Sequence, residues 1–189
     1  MVAIAILIAL IVILQMISAF VKIGAISITL TLIPIVVGAA MYGPSAGAIL
    51  GGAFGVIVLI NCITGTDLGG NALWIANPAM TALLCMLKGI AAGFFAGLVY
   101  AAASKVNTYV GVFCAAIVSP VVNTGIFIAG MALFFSDTLA EWAGGSPIVY
   151  FALIGLTGLN FLVEFGVNIV LSPTVVRIID AAKNAGKHS

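Results

Sequence analysis

The sequence predicts an all-α fold, an integral membrane bundle of six transmembrane helices with both termini cytoplasmic. Three observations carry this. Of 189 residues, 64% are drawn from Ala, Val, Ile, Leu, Met, Phe, Trp, Tyr and Cys and only 6% are charged. A water-soluble domain of this size carries about 25% charged residues to solvate its surface, so the solvent of this chain is largely hydrocarbon. The apolar residues form unbroken runs, as from Val2 to Leu14, without the alternation of a β-barrel strand. Backbone groups in lipid must be hydrogen-bonded within their own segment, so such runs are helices. Finally, charged residues and Pro/Gly clusters cut the chain into six apolar runs, 2–21, 28–42, 45–64, 78–104, 108–136 and 147–179. Most approach the roughly 20 residues that cross a bilayer. Residues 1–183 form a single transmembrane domain and 184–189 a short polar tail.

The first run lacks the basic leader and A-x-A site of a cleaved signal peptide, and further runs follow it, so it is read as a retained helix. Ala5-Ile-Leu-Ile-Ala9 gives it a short stripe of small residues. The second run is short, and Pro34 inside it removes a backbone donor, which predicts a bent or partly spanning helix.

The third run carries Gly43, Gly47, Gly51 and Gly55, and the fourth carries Gly89, Gly93 and Gly97, each set at four-residue spacing. Lipid gives helices no hydrophobic drive to associate, and small-x-x-x-small stripes let their backbones pack closely instead. Asn77-Pro78-Ala79 opens the fourth run. The tripeptide is shared with water channels, but those use two copies and this chain has one. An asparagine N-cap followed by proline at the first helical position accounts for it.

Ionisable groups at membrane depth face a cavity or a partner, because hydrocarbon does not solvate them. Lys88 lies about ten residues into the fourth run, near mid-membrane at 1.5 Å per residue. Asn123 lies deep in the fifth, within Ser119-Pro-Val-Val-Asn-Thr124. In the sixth, Asn160, Glu164 and Asn168 fall on one helical face. Two readings stand side by side. Lys88 and Glu164 form a structural ion pair with the asparagines as interhelical hydrogen bonds, or these residues line a pocket walled by Trp74, Phe127 and Phe161 that suits a flat heterocycle with several donors and acceptors.

Orientation follows from basic residues in short loops. The side shared by the two termini carries Lys105, Arg177, Lys183 and Lys187, while the opposite loops hold Lys22 with Asp67, Asp137 and Glu141, so the termini are placed in the cytoplasm. Cys62, Cys85 and Cys114 show no C-x-x-C spacing and read as small packing residues. His188 is the single histidine, so histidine-based metal or triad chemistry has no second member, and no metal or cofactor is expected. A formal net charge of +1 argues against a nucleic-acid partner.

The stretch from Ile26 to Gly47, with its Tyr42-Gly43-Pro44 loop, resembles the second and third helices of the substrate-binding S components of energy-coupling factor (ECF) vitamin transporters. Leu87-Lys-Gly-Ile-Ala-Ala-Gly93, Pro120-Val-Val-Asn-Thr-Gly125 and Asn160-Phe-Leu-Val-Glu164 are similar to their fourth, fifth and sixth helices. This resemblance implies a binder of a vitamin or similar micronutrient in the bacterial plasma membrane, without ATPase activity of its own. It would work with a transmembrane coupling (T) protein and two cytoplasmic ATPases. It further implies that Ala5 and Ala9 dock on the coupling protein, that the loop from Lys22 to Ser27 helps enclose ligand near the outer face, and that the subunit topples to carry ligand inward. The riboflavin, folate and pantothenate binders look most similar. Glu164 stands near where the riboflavin group has a lysine, which favours a donor-rich or cationic ligand.

Two other classes compete. An autonomous channel or facilitator would move solute without partners. An intramembrane enzyme needs paired aspartates or a serine with a base, whereas Asp67, Asp137 and Asp180 all fall at membrane boundaries or in loops.

Overall fold

The computed structural model describes residues 2–18, 22–23, 26–27, 31–147 and 150–185, and at 22, 23, 26, 27, 156, 159, 160 and 182–185 the backbone alone. Helix α1 is Val2–Ser18, α2 Leu32–Tyr42, α3 Pro44–Thr64, α4 Leu68–Ala76, α5 Pro78–Ala103, α6 Thr108–Phe134, α7 Ser136–Ala143 and α8 Gly158–Ala185, the last preceded by a π-helical turn at Phe151–Leu156. Between α1 and α2, strands β1 (Lys22–Ile23) and β2 (Ile26–Ser27) pair antiparallel with Lys22 opposite Ser27.

Each predicted run contains a helix, though the fifth breaks at Phe135 between α6 and α7 and the sixth opens with the π-helical turn before α8. In α3, α5, α6 and the stretch Phe161–Ala181 of α8 the helix is long and apolar enough to cross a membrane, while α1 and α2 are shorter apolar helices. At eleven residues α2 is too short to count as a full span, as its short run and Pro34 predict. The helix begins at Leu32, so the proline sits in its first turn, where the amide has no intrahelical acceptor to lose. Seven of the eleven residues of α2 are buried, since it packs against α1, α3, α5, α6 and α8. A helix apolar on every side finds its place inside a bundle. Ile35 and Leu32 join Ile11, Leu50 and Phe54 in one core cluster, and Val36, Val37 and Ala39 join Ala96, Val112, Val176 and Ile179 in another.

The glycine stripes meet each other. A Cβ on Gly47 would collide with the carbonyl oxygen of Gly93, one on Gly51 with that of Gly89, and one on Gly55 would lie 2.7 Å from that of Cys85. Each step of four residues up α3 is a step of four down α5, so the two helices run antiparallel in a fixed register. Gly43 joins α2 to α3 at φ 88°, a conformation that side chains disfavour.

Two helices went unforeseen. Asp67 caps α4, its Oδ1 accepting from the Gly70 amide at 3.2 Å, where the sequence reading placed a loop. Helix α7 buries Leu139 and Ala143 and turns out of its end through Gly144 and Gly145, both at positive φ. The starts of α5 and α6 follow sequence logic. Asn77 Oδ1 accepts from Met80 N at 3.2 Å with Pro78 next in the chain, and Asn107 Oδ1 accepts from Val110 N at 2.8 Å.

Candidate functional site

A cavity of about 870 Å³ of empty space, partly continuous with the outside, lies among α1, α3, α4, α5, α6, α7 and α8. The close packing of α3 on α5 extends from the Gly43–Pro44 turn to Gly55. Beyond it the side chains of Val58, Cys62, Thr81, Leu84 and Cys85 stand between the helices and the cavity.

Lys88 from α5, Asn123 from α6 and Glu164 from α8 all line the cavity. The Lys88 ammonium lies 5.1 Å from the centroid of the Phe127 ring, a cation–π contact, and Phe127 lies one helical turn beyond Asn123 on α6. Asn123 is 5% exposed, and its Oδ1 has no hydrogen-bond partner among the described residues. A buried acceptor left unpaired is destabilising by about 1–3 kcal/mol, so its presence on a cavity wall calls for a donor beyond the described residues, such as water or a bound molecule. Glu164 is also 5% exposed and contributes a carboxyl to the same space.

The remaining candidates lie elsewhere. Asn168 does not line the cavity. It is 3% exposed, and its Nδ2 donates to the Glu164 backbone oxygen at 2.7 Å, while Ser172 Oγ donates to the Asn168 oxygen at 2.8 Å. This part of the polar face of α8 is thereby folded back on its own backbone. Trp74 packs against the cluster of Ile11, Val58, Cys62 and Cys85 and also stands off the lining. Asn160 belongs to α8, but its side chain lies outside the described residues. Ala5 and Ala9 are exposed on α1, together with Val2, Ile6 and Ile13.

Phe127 and Phe161 form apolar walls as expected from the sequence, and Trp142 of α7 supplies a further aromatic face. Sequence reasoning missed Trp142 because α7 looked like a polar loop. It also passed over Gln15, which lines the cavity at 4% exposure and accepts from Thr31 Oγ1 at 3.4 Å. A signal was there, since Gln15 is the one amide in the apolar first run. Asp67, Thr81, Thr124 and Thr157 complete the polar lining. Thr81 and Thr157 hydroxyls donate to backbone oxygens of Asn77 and Ala152, both at 2.9 Å, so their donor capacity is already used. Among the described residues no three His, Cys, Asp or Glu side chains come together as a metal-binding group.

The lining can hold a small polar molecule: a cation, two carboxyl groups and an acceptor unpaired among the described residues share a cavity with three aromatic rings. No curated protein and no solved structure matches the chain. A family model does match, that of the ECF transporter, substrate-specific component, over residues 1–176.

Proposed function

The chain belongs to the substrate-specific components of ECF transporters, multi-pass membrane proteins that bind substrate and are not enzymes, and from that membership we propose that its cavity captures a vitamin-like micronutrient for uptake. The observation that carries the proposal is the buried Oδ1 of Asn123, without a partner among the described residues, in the cavity that Lys88 and Glu164 also line. A ligand with nitrogen donors satisfies Asn123 and approaches the Glu164 carboxyl, an acceptor group on it meets Lys88, and a flat ring fits between Phe127, Phe161 and Trp142. Riboflavin, folate, pantothenate and related compounds are the candidates, with donor-rich or cationic ligands preferred.

In this reading the six apolar helices α1, α2, α3, α5, α6 and α8 cross the bacterial plasma membrane with both termini in the cytoplasm, and the cavity is loaded from outside. The exposed Ala5 and Ala9 face a T protein. That protein couples the subunit to two cytoplasmic ATPases, which supply the energy for uptake. Native mass spectrometry of the purified protein tests the proposal. A retained small molecule of the stated chemistry is the expected result, lost on Asn123→Leu. Solute flux through vesicles containing this chain alone would replace the proposal with an autonomous facilitator.

A further inference from the structure

Cys62 on α3 and Cys85 on α5 hold their sulfur atoms 4.0 Å apart, and both side chains line the cavity. Both are otherwise buried, at 2% and 5% exposed. The glycine contacts fix the backbones that carry them, so the spacing belongs to the α3–α5 register rather than to two loose side chains. Cys62 is held further by α4. The Asn71 amide donates to its backbone oxygen at 2.8 Å, and its sulfur occupies the space that a Cβ on Gly70 would need. Lipid-facing packing asks for neither a second thiol at this distance nor access to the cavity.

We propose that Cys62 and Cys85 are a thiol modification site in the cavity wall, at which a small oxidant entering the cavity closes an intrachain disulfide between α3 and α5. A disulfide needs the sulfurs about 2.05 Å apart, so roughly 2 Å must be closed by rotation about the two Cα–Cβ bonds and a small approach of the helices. The two thiols give up two electrons and two protons, and one S–S bond forms. With an azo oxidant such as diamide, the N=N bond takes both electrons and both protons and becomes a hydrazine. Because Cys85 precedes Lys88 by three residues on α5, the bond stiffens the wall that presents Lys88 and makes the cavity sensitive to oxidants. The site stands whatever ligand the cavity takes, because it needs only an opening to solution.

The test uses the full chain in detergent, treated with diamide, freed of it, denatured and counted for maleimide-reactive thiols. The chain has three cysteines. Untreated protein should give three reactive thiols and treated protein one, with a peptide joining residues 62 and 85 that disappears on reduction. Cys114→Ser should leave this cross-link intact, and Cys62→Ser should abolish it. Three reactive thiols after treatment, or loss of thiols only as dimers on a non-reducing gel, would overturn the assignment. Peptide mapping on the unmutated chain decides the matter even where a cysteine variant folds poorly.

Discussion

Gly51 and Gly89 meet across α3 and α5 with no room for a methyl group between them, since a Cβ on either would run into the carbonyl oxygen of the other. Overpacking of this kind is destabilising by about 1–3 kcal/mol, and here the obstacle is backbone, which cannot rotate aside. Gly51→Ala and Gly89→Ala should each lower the thermal midpoint in detergent. Gly52→Ala is the control, because its Cβ would meet Ile90 Cγ1 at an ordinary 3.5 Å. Equal midpoints for the Gly51 and Gly52 variants would remove the seam as the basis of the register.

Asn123→Leu separates a binding role from a structural one. Its Oδ1 has no partner among the described residues, so replacing it by an apolar side chain of similar size should leave stability unchanged or raise it by about 1 kcal/mol. Affinity for the ligand identified by mass spectrometry should fall at the same time. A large loss of stability with unaltered affinity would make Asn123 a structural residue.

Glu164→Gln should weaken binding by about 1.5–3 kcal/mol, the size of a hydrogen bond to a charged group, in a protein that still folds. If Glu164 serves only to balance Lys88, the variant leaves a cation without compensation and loses stability, which Lys88→Met in the same chain restores. Calorimetric titration of both variants, paired with thermal melts, tells the outcomes apart.

Replacing Ala5 and Ala9 by leucine should abolish uptake in cells and leave ligand binding by the purified subunit intact. Both residues are exposed and neither lines the cavity, so the fold has no reason to change. Close contact with a partner helix, by contrast, tolerates only small side chains. Wild-type uptake by the double variant would remove this face as the docking surface.

Sidedness is checked by labelling. Lys105 should resist a membrane-impermeant amine reagent in intact cells, while a lysine introduced beside Asp137 should react. The opposite pattern would turn the cavity toward the cytoplasm.

Much of this was legible in the sequence because its causes are local. A chain with 6% charged residues must satisfy its backbone inside helices, and the glycine spacing on α3 and α5 already gives two smooth faces. The caps at Asn77 and Asn107 are equally local, each a side chain reaching an amide three residues on. What the sequence could not decide is which polar groups share a cavity. Asn168 stands one turn from Glu164 on the same helical face, yet its amide turns to the Glu164 backbone oxygen and leaves the cavity wall. Trp74 and Trp142 are both aromatic and near the cavity in sequence terms, but only Trp142 lines it, because α7 folds back over the site while Trp74 packs into the core cluster around Val58 and Cys62. Gln15 reaches the cavity from α1 through packing against α2 and α3. Helical periodicity fixes which residues of one helix face the same way. The direction in which that face looks is set by neighbours far off in the chain, and that was decided by the tertiary structure alone.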